Sequence, residues 1–363
     1  MKTEEKTLNF LLGAHTPQGY VSRFDQLAEE NQGWRTFILK GGPGSGKSTL
    51  LKKIAERFAP DPGLELILCS SDMRRLDAVL LPERKLAVVD GTQPHLLEPK
   101  YPGAVESVVD LSVCQDTDIL YSNRSAIVSL TDSISRCHEY CSRYLAAGSS
   151  LTGDNYRLTL EGVDMEKLNG YLGRLSEREI KPKKAAAAEG RERVRFLTAV
   201  TERGVVKLTG TAKLLAERIY LINDEWGAIS RLILYHIRAK ALSAGYDVIS
   251  CYCPLSPFEK LEQLFIPELA VGFLTSNRSH DFDLEIDPYR IINCRRFTDL
   301  EKLKGAKKRI SGNRKAVDHM IAQAGALLKE AKALADELKA YYTAATRFEE
   351  ADRITRRLIE KIE

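Results

Sequence analysis

No apolar run in this sequence approaches the ~20 residues that a membrane-spanning helix needs, so no segment is expected to cross a bilayer as a helix. The first residues, MKTEEKTLNFLLGAH, hold too short an apolar stretch for a secretory signal. Cysteine is present but not in a framework. The seven (Cys69, Cys114, Cys137, Cys141, Cys251, Cys253 and Cys294) are odd in number and form no paired C-x-x-C sets at zinc spacing. That speaks against a disulfide scaffold, and a reduced cytoplasmic setting is expected. Charge of one sign is missing too. The 54 basic and 50 acidic side chains leave a net +4, so bulk charge calls for neither nucleic acid nor a membrane surface. A basic stretch at 302–315 has no interleaved aromatics and reads as a solvated helix face.

What is present is length and repetition. A chain of 363 residues exceeds one ordinary core and implies two domains. LNFLLGAHTPQG (8–19) recurs as VRFLTAVTERG, and a shift of 185 sets Leu12 on Leu197, Ala14 on Ala199, Thr16 on Thr201 and Gly19 on Gly204. A shift of 183 sets FILKGGPGSGKSTLL (37–51) on YLINDEWGAISRLIL (220–234). At 185 again, LLPERKLAVVDGTQPH (80–95) meets FIPELAVGFLTSNRSH (265–280), pairing Pro82 with Pro267, Glu83 with Glu268 and His95 with His280. Three ordered matches within two residues of one register argue for tandem duplication. Shared strand–helix periodicity alone explains the apolar matches but not the paired Thr, Gly, Pro-Glu and His. The Lys/Glu/Ala-rich segment 179–191, with Pro182 and Gly190, reads as a linker between domains at 1–178 and 192–363.

Each domain is expected to begin as α/β. RTFILK (35–40), LELILC (64–69) and KLAVVD (85–90) are short apolar runs of the kind buried parallel strands show. Helical patterns at Lys47–Phe58 and Met73–Leu81 separate them, which predicts a parallel sheet with right-handed crossovers. Each domain then ends in a coiled-coil-like arm. Val317, Met320, Ala324, Leu327, Ala331, Leu334, Leu338 and Tyr341 keep a 3–4 spacing; Ile127, Leu130, Ile134, Cys137, Cys141 and Tyr144 repeat it over a shorter distance. The two arms are expected to pack on each other or to receive a partner protein. Cys137, His138 and Cys141 share one helical turn, but the two cysteines fall on the apolar seam and read as small core residues.

The densest chemical signal is Gly41-Gly42-Pro43-Gly44-Ser45-Gly46-Lys47-Ser48, which fits G-x-x-x-x-G-K-[ST] between a strand and an amphipathic helix. Glycines let successive backbone N–H groups turn toward one anion, and the helix N-terminus adds positive partial charge. Lys47 is expected at the β- and γ-phosphates, the Ser48 hydroxyl on Mg²⁺, and Thr49 as a cap or near the α-phosphate. Asp90, after four apolar residues, is the expected Walker B carboxylate of the metal shell. Asp72 is the alternative, for water positioning or substrate contact, and both also suit an ordinary strand-end or N-cap aspartate. No acid follows Asp90, since the next residues are Gly91 and Thr92. His95 is a γ-phosphate sensor, a substrate contact or a structural histidine.

The aligned second loop reads Asp224-Glu225-Trp226-Gly227-Ala228-Ile229-Ser230-Arg231. Ser230 replaces Lys47, Arg231 replaces Ser48 and Thr275 replaces Asp90, while two acids stand where phosphate would lie. This copy is expected not to bind MgATP, so one chain takes one nucleotide. Arg231 is either a surface or salt-bridged arginine or, if the copies face each other, an arginine finger in cis.

These residues resemble the P-loop NTPase superfamily. More narrowly, TPxG, GGPGSGKSTLLKKIA, LLPERKLAVVDGTQPH and EPKYPGAVE together are similar to a bacterial family of duplicated P-loop ATPases, also labelled nucleotide kinases. The resemblance spans nearly the whole chain. It implies two tandem P-loop NTPase-like domains, ATP and Mg²⁺ as ligands, and a loop in both halves, from which this chain departs at 224–231. N-K-x-D and LSGGQ are absent, which disfavours GTP and an ABC transporter ATPase. The expected activity is ATP hydrolysis at one competent site beside a degenerate copy. A P-loop kinase for a small molecule or nucleotide and a nucleotide-switched interaction module are the alternatives.

Overall fold

A computed structural model of the chain describes residues 7–27, 33–183, 188–277 and 286–363. His280, the expected counterpart of His95, and 184–187 of the expected linker lie outside the described residues.

The first half runs β1 (Leu8–Phe10), β2 (Gly13–Thr16), β3 (Gly19–Ser22), β4 (Arg35–Lys40), α1 (Lys47–Arg57), β5 (Glu65–Cys69), β6 (Asp72–Leu81), β7 (Leu86–Asp90), β8 (Glu106–Asp110), α2 (Thr117–Ser122), α3 (Arg124–Leu160) and α4 (Met165–Glu179). The second runs β9 (Glu192–Arg195), β10 (Thr198–Thr201), β11 (Gly204–Lys207), α5 (Thr209–Leu215), β12 (Arg218–Asn223), α6 (Ile229–Ser243), β13 (Val248–Cys253), β14 (Ser256–Ile266), β15 (Val271–Ser276), β16 (Arg290–Asn293), α7 (Lys307–Ala344) and α8 (Phe348–Ile362).

Two six-stranded sheets result, ordered β1-β5-β6-β7-β4-β8 and β16-β12-β15-β14-β13-β9. Read from β9, the second order repeats the first strand for strand. The three expected strands appear at Arg35–Lys40, Glu65–Cys69 and Leu86–Asp90. The sheets are mixed, however. Met73–Leu81 is no helix but most of β6, which runs antiparallel to β5 and to β7. Only Ser70 and Ser71 separate β5 from β6, which is a hairpin connection and too short to seat a helix. The run from Leu76 to Leu81 is buried throughout, including Asp77. A strand shielded on both faces loses its alternation, and its apolar residues then imitate helical spacing.

The two halves meet about their matched residues. Leu11 and Phe196, 185 positions apart, exchange backbone hydrogen bonds of 3.0 and 2.9 Å. Their last helices are exchanged. Arg347 N–H bonds the Cys114 carbonyl at 2.8 Å, and 183 positions earlier Asp164 N–H bonds Phe297 O at 2.9 Å. Asp116 to Ala345 and Asp299 to Gly162, both 2.7 Å, form a second matched pair. Accordingly Ala351, Leu358 and Ile362 of α8 complete the core around Leu50 and Ile54 of the first half, while Leu168, Leu172 and Leu175 of α4 pack with Tyr220, Ile233 and Ile237 of the second. A boundary at 179–191 therefore divides the chain but not the cores, because each sheet's helix layer is finished by the other half.

The arms α3 and α7 lie side by side. Gly148 sits against Met320, and further along α3 Asn155 donates to Ile310 O, so the helices are antiparallel. Cys141 and Leu145 pack on Val317, Ile321, Ala324 and Leu328. Ile321 and Leu328 are the buried residues where spacing places Met320 and Leu327, a one-residue rotation that turns the stripe toward Val200, Cys253 and Leu255 of the second half as well as toward α3. Among the described residues no helix is long and apolar enough to cross a membrane.

Candidate functional site

The loop between β4 and α1 is built by glycine. Gly41, Gly44 and Gly46 have φ of 143, 78 and 98°, the left-handed region where a side chain is strained. Gly46 ends the loop as the N-cap of α1, and among the described residues no side chain caps that helix. Its first N–H groups thus face the loop's concavity, the geometry in which backbone donors gather an anion. The loop opens into a cavity of about 780 Å³, which Lys47, Ser48, Thr49, Asp72, Asp90 and His95 also line. Of the residues expected at the first site, all but the buried Ser45 thus line one space.

Lys47 is 8% exposed; its Nζ donates to the carbonyls of Gly41 and Gly42 at 2.6 and 3.0 Å and lies 3.8 Å from Asp90 Oδ2. Burial lowers its pKa, while Asp90 opposes the shift. The Asp90 Oδ1 accepts from the backbone N–H and hydroxyl of Thr92 at 3.1 and 2.6 Å, which leaves Oδ2 directed to the lysine side. The Ser48 hydroxyl accepts from Leu76 N–H at 3.3 Å.

Asp72 is held otherwise. It lies within 3.1 Å of Arg74, 3.4 Å of Arg75 and 3.5 Å of Lys332 from α7. Burial would raise its carboxyl, but the Arg74 side chain and backbone, with Lys332, bring it down to about 2. Asp72 is a strut between β6 and α7.

The roof of the cavity comes from the other half. A Cβ on Gly42 would stand 2.5 Å from the Tyr342 ring, and one on Gly44 would stand 3.1 Å from Lys339 Cγ. Thr131, Ser135 and His138 of α3 form the wall beyond the loop.

Comparison with known proteins gives no match: no family model, no curated protein and no solved structure.

The second loop is closed by its own side chain. Asp224 is 1% exposed, and its carboxylate accepts from Trp226 N–H at 3.2 Å, Gly227 N–H at 2.9 Å and Ser230 N–H at 2.7 Å. An internal carboxylate thus occupies the donors an anion would use. The cavity left there is about 100 Å³. Glu225, expected to face phosphate, instead meets Arg314 at 3.4 Å. Arg231 lines this small cavity, stacked 4.2 Å over Tyr156, and is absent from the large one. The two cavities take residues around Ser135 and Asn155 of α3, about 30 Å apart at 1.5 Å per residue, so Arg231 is no finger for the first site.

Asp77 escaped the sequence reading because it was placed in a helix. It lies 4% exposed on the cavity wall, with Oδ2 3.9 Å from Nδ1 of His95, itself stacked 4.6 Å from the Phe24 ring. Among the described residues that Oδ2 and both His95 ring nitrogens have no hydrogen-bond partner. Its counterpart 185 positions on, Glu262, pairs with Lys260 at 2.7 Å. An aspartate inside an apolar run, LDAVLL, was the available signal. Burial pushes the Asp77 carboxyl up from 3.8 to about 6, with His95 opposing and Asp90 adding to the rise. The neutral acid's contribution to stability is therefore complete below 3.8 and lost as pH rises through about 6, a gap of about 3 kcal/mol. Asp77→Asn is expected to be more stable than the parent at about pH 8 by roughly 1–3 kcal/mol and equal to it near pH 4. Denaturant unfolding at both pH values checks this, and equal stability at pH ~8 would refute a buried charge.

Proposed function

We propose that the chain is a magnesium-dependent ATPase with one competent site, at Gly41–Thr49, and one closed copy of it, at Asp224–Arg231. Tandem duplication of a P-loop NTPase-like domain accounts for the repeated strand order and the matched hydrogen bonds. The observation that carries the functional reading is a contrast within one molecule. The first loop opens its donors, Lys47 and Asp90 into a large cavity, while the second spends the same donors on Asp224.

In this reading the loop N–H groups and Lys47 hold the β- and γ-phosphates. The Ser48 hydroxyl and the Asp90 carboxylate are hard oxygen donors lining the same cavity as Lys47, which suits Mg²⁺. Magnesium would offset charge on the transferred phosphoryl group. Asp77 and His95 line the same cavity, with Asp77 Oδ2 and both His95 ring nitrogens buried and, among the described residues, without a hydrogen-bond partner. Asp72, bound by three cations, is left out of the metal shell.

A small-molecule kinase is the second reading, favoured by the hydroxyl- and imidazole-bearing wall of Thr131, Ser135 and His138 beyond the loop. Titration calorimetry with a non-hydrolysable ATP analogue and Mg²⁺ is expected to give a stoichiometry near one. Turnover with and without a panel of hydroxyl-bearing acceptors divides the readings. Phosphate release alone supports the ATPase, and a phosphorylated acceptor supports the kinase. Binding with negligible turnover supports a nucleotide-switched module acting through the arms, and no binding overturns all three.

A further inference from the structure

The nucleotide site has a residue from the other half in its roof. Lys339 sits near the end of α7, the helix that follows the second sheet. Its stem crosses the loop, with Cγ and its own carbonyl 3.1 and 3.3 Å from where a Gly44 Cβ would be. It lines the cavity of about 780 Å³ beside Lys47 and Ser48.

The other basic residues there are neutralised. Lys332 pairs with Asp336 at 2.7 Å and Asp72 at 3.5 Å, and Arg75 with Asp72 at 3.4 Å and Asp336 at 3.7 Å. Among the described residues no carboxylate lies within 4.0 Å of the Lys339 ammonium. An unpaired cation held over a glycine loop by its own helix is placed for an anion that the protein does not itself provide.

The closed half supplies the control. The symmetric position, 183 earlier on α3, is Tyr156, which lies over the second loop and stacks on Arg231 at 4.2 Å. The next turn keeps the matching contact, with Thr159 reaching Trp226 O as Tyr342 covers Gly42. Both loops are thus roofed by the opposite half's arm in the same way. Among the described residues the opposite half's arm lays a cation over the open loop alone; the half that lost its loop lysine faces a tyrosine there, and the cations on its small cavity, Arg231, Lys260 and Arg314, come from its own half.

We propose that Lys339 binds the outer phosphates of the nucleotide from across the loop, so that the second half, though closed to nucleotide itself, completes the first half's site. This rests on the reading of Gly41–Ser48 as a nucleotide site. A second cation on the cavity, beyond Lys47, would contact the γ-phosphate more than the α-phosphate and so separate ATP from ADP. Its bond also pins the last turns of α7 to the loop when ATP is present and releases them with ADP.

Lys339→Met keeps the apolar stem over Gly44 and removes only the charge. Calorimetry on the full chain with a non-hydrolysable ATP analogue and with ADP, both with Mg²⁺, is the test. The analogue's affinity is expected to fall roughly 10- to 100-fold, the range for one charge-assisted hydrogen bond, while ADP changes by about twofold or less. Lys339→Arg restores most of the loss. Backbone hydrogen exchange across 336–344 is expected to slow with the ATP analogue and not with ADP. If the parent binds the analogue, Lys47→Ala loses it and Lys339→Met binds as the parent does, this inference falls alone. If the parent binds neither nucleotide, the nucleotide reading falls and takes this inference with it.

Discussion

Lys47→Ala is expected to abolish ATP turnover and leave a folded protein. The ammonium is almost fully buried, its pKa is lowered by that burial, and it is held by two loop carbonyls. Removing it relieves a desolvated charge, so the melting temperature should hold or rise. What is lost is the cation nearest the phosphates, and turnover should fall by at least ~10²-fold, the scale of one preorganised charge-stabilising donor. Asp90→Asn should differ in kind, keeping nucleotide binding and losing catalysis, because the amide keeps the Thr92 bonds but is a poor Mg²⁺ ligand. Asp72→Asn should be mild in turnover, since that carboxylate serves the strut to α7. Phosphate release and calorimetry on the three variants separate these outcomes. Wild-type turnover by a folded Lys47→Ala protein would remove the loop from the chemistry.

The loop was legible in the sequence because its chemistry is local. Eight consecutive residues carry the left-handed glycines, the lysine and the hydroxyl, and the flanking strand and helix are short periodic runs. The place of Asp90 at a strand end beside Lys47 was legible for the same reason, as the end of LAVVD. Met73–Leu81 was misread because burial on both faces erases the period that tells strand from helix. Asp77 went with it, since a helical placement hides that its side chain joins the cavity. The exchange of α4 and α8 leaves no local trace either. Their apolar stripes show that each helix is buried, and an amphipathic pattern does not say against which half. Arg231 was reachable as a finger only if the two loops faced each other, and the antiparallel arms hold them apart instead.

The exchange gives the closed half a reason to persist. Its loop needs no ligand, because Asp224 satisfies the donors internally, and its sheet keeps the same strand order. Yet α7 roofs the open loop and α8 completes the core beneath it. Selection on the first site therefore reaches residues more than 280 positions away in the chain, with no requirement that the second loop bind anything.

Ending the chain at Thr346 is expected to destroy the first site although every residue of its loop remains. That deletion takes Ala351, Leu358 and Ile362 out of the core that contains Leu50, Ile54 and Val88. Burying a Leu or Ile contributes about 1.5–3 kcal/mol each, so the loss comes to about 5 kcal/mol, comparable to a whole domain's margin of about 5–15. The exposed pairs Lys53–Asp352 and Arg57–Glu363 go as well but add little. The milder version is Leu358→Ala, at 4% exposure, expected to cost about 2–4 kcal/mol and to weaken nucleotide binding only through stability. Leu172→Ala in α4, at 3% exposure, should cost a similar amount in the second half's core. Hydrogen exchange resolved by segment distinguishes them: Leu358→Ala should loosen β4 and α1, and Leu172→Ala should loosen β12 and α6. A chain of residues 1–346 that melts and binds nucleotide like the parent would show that α8 adds nothing to the first core. Loss of both, with recovery on adding the 347–363 peptide, would show that the last helix of the second half is a structural part of the first.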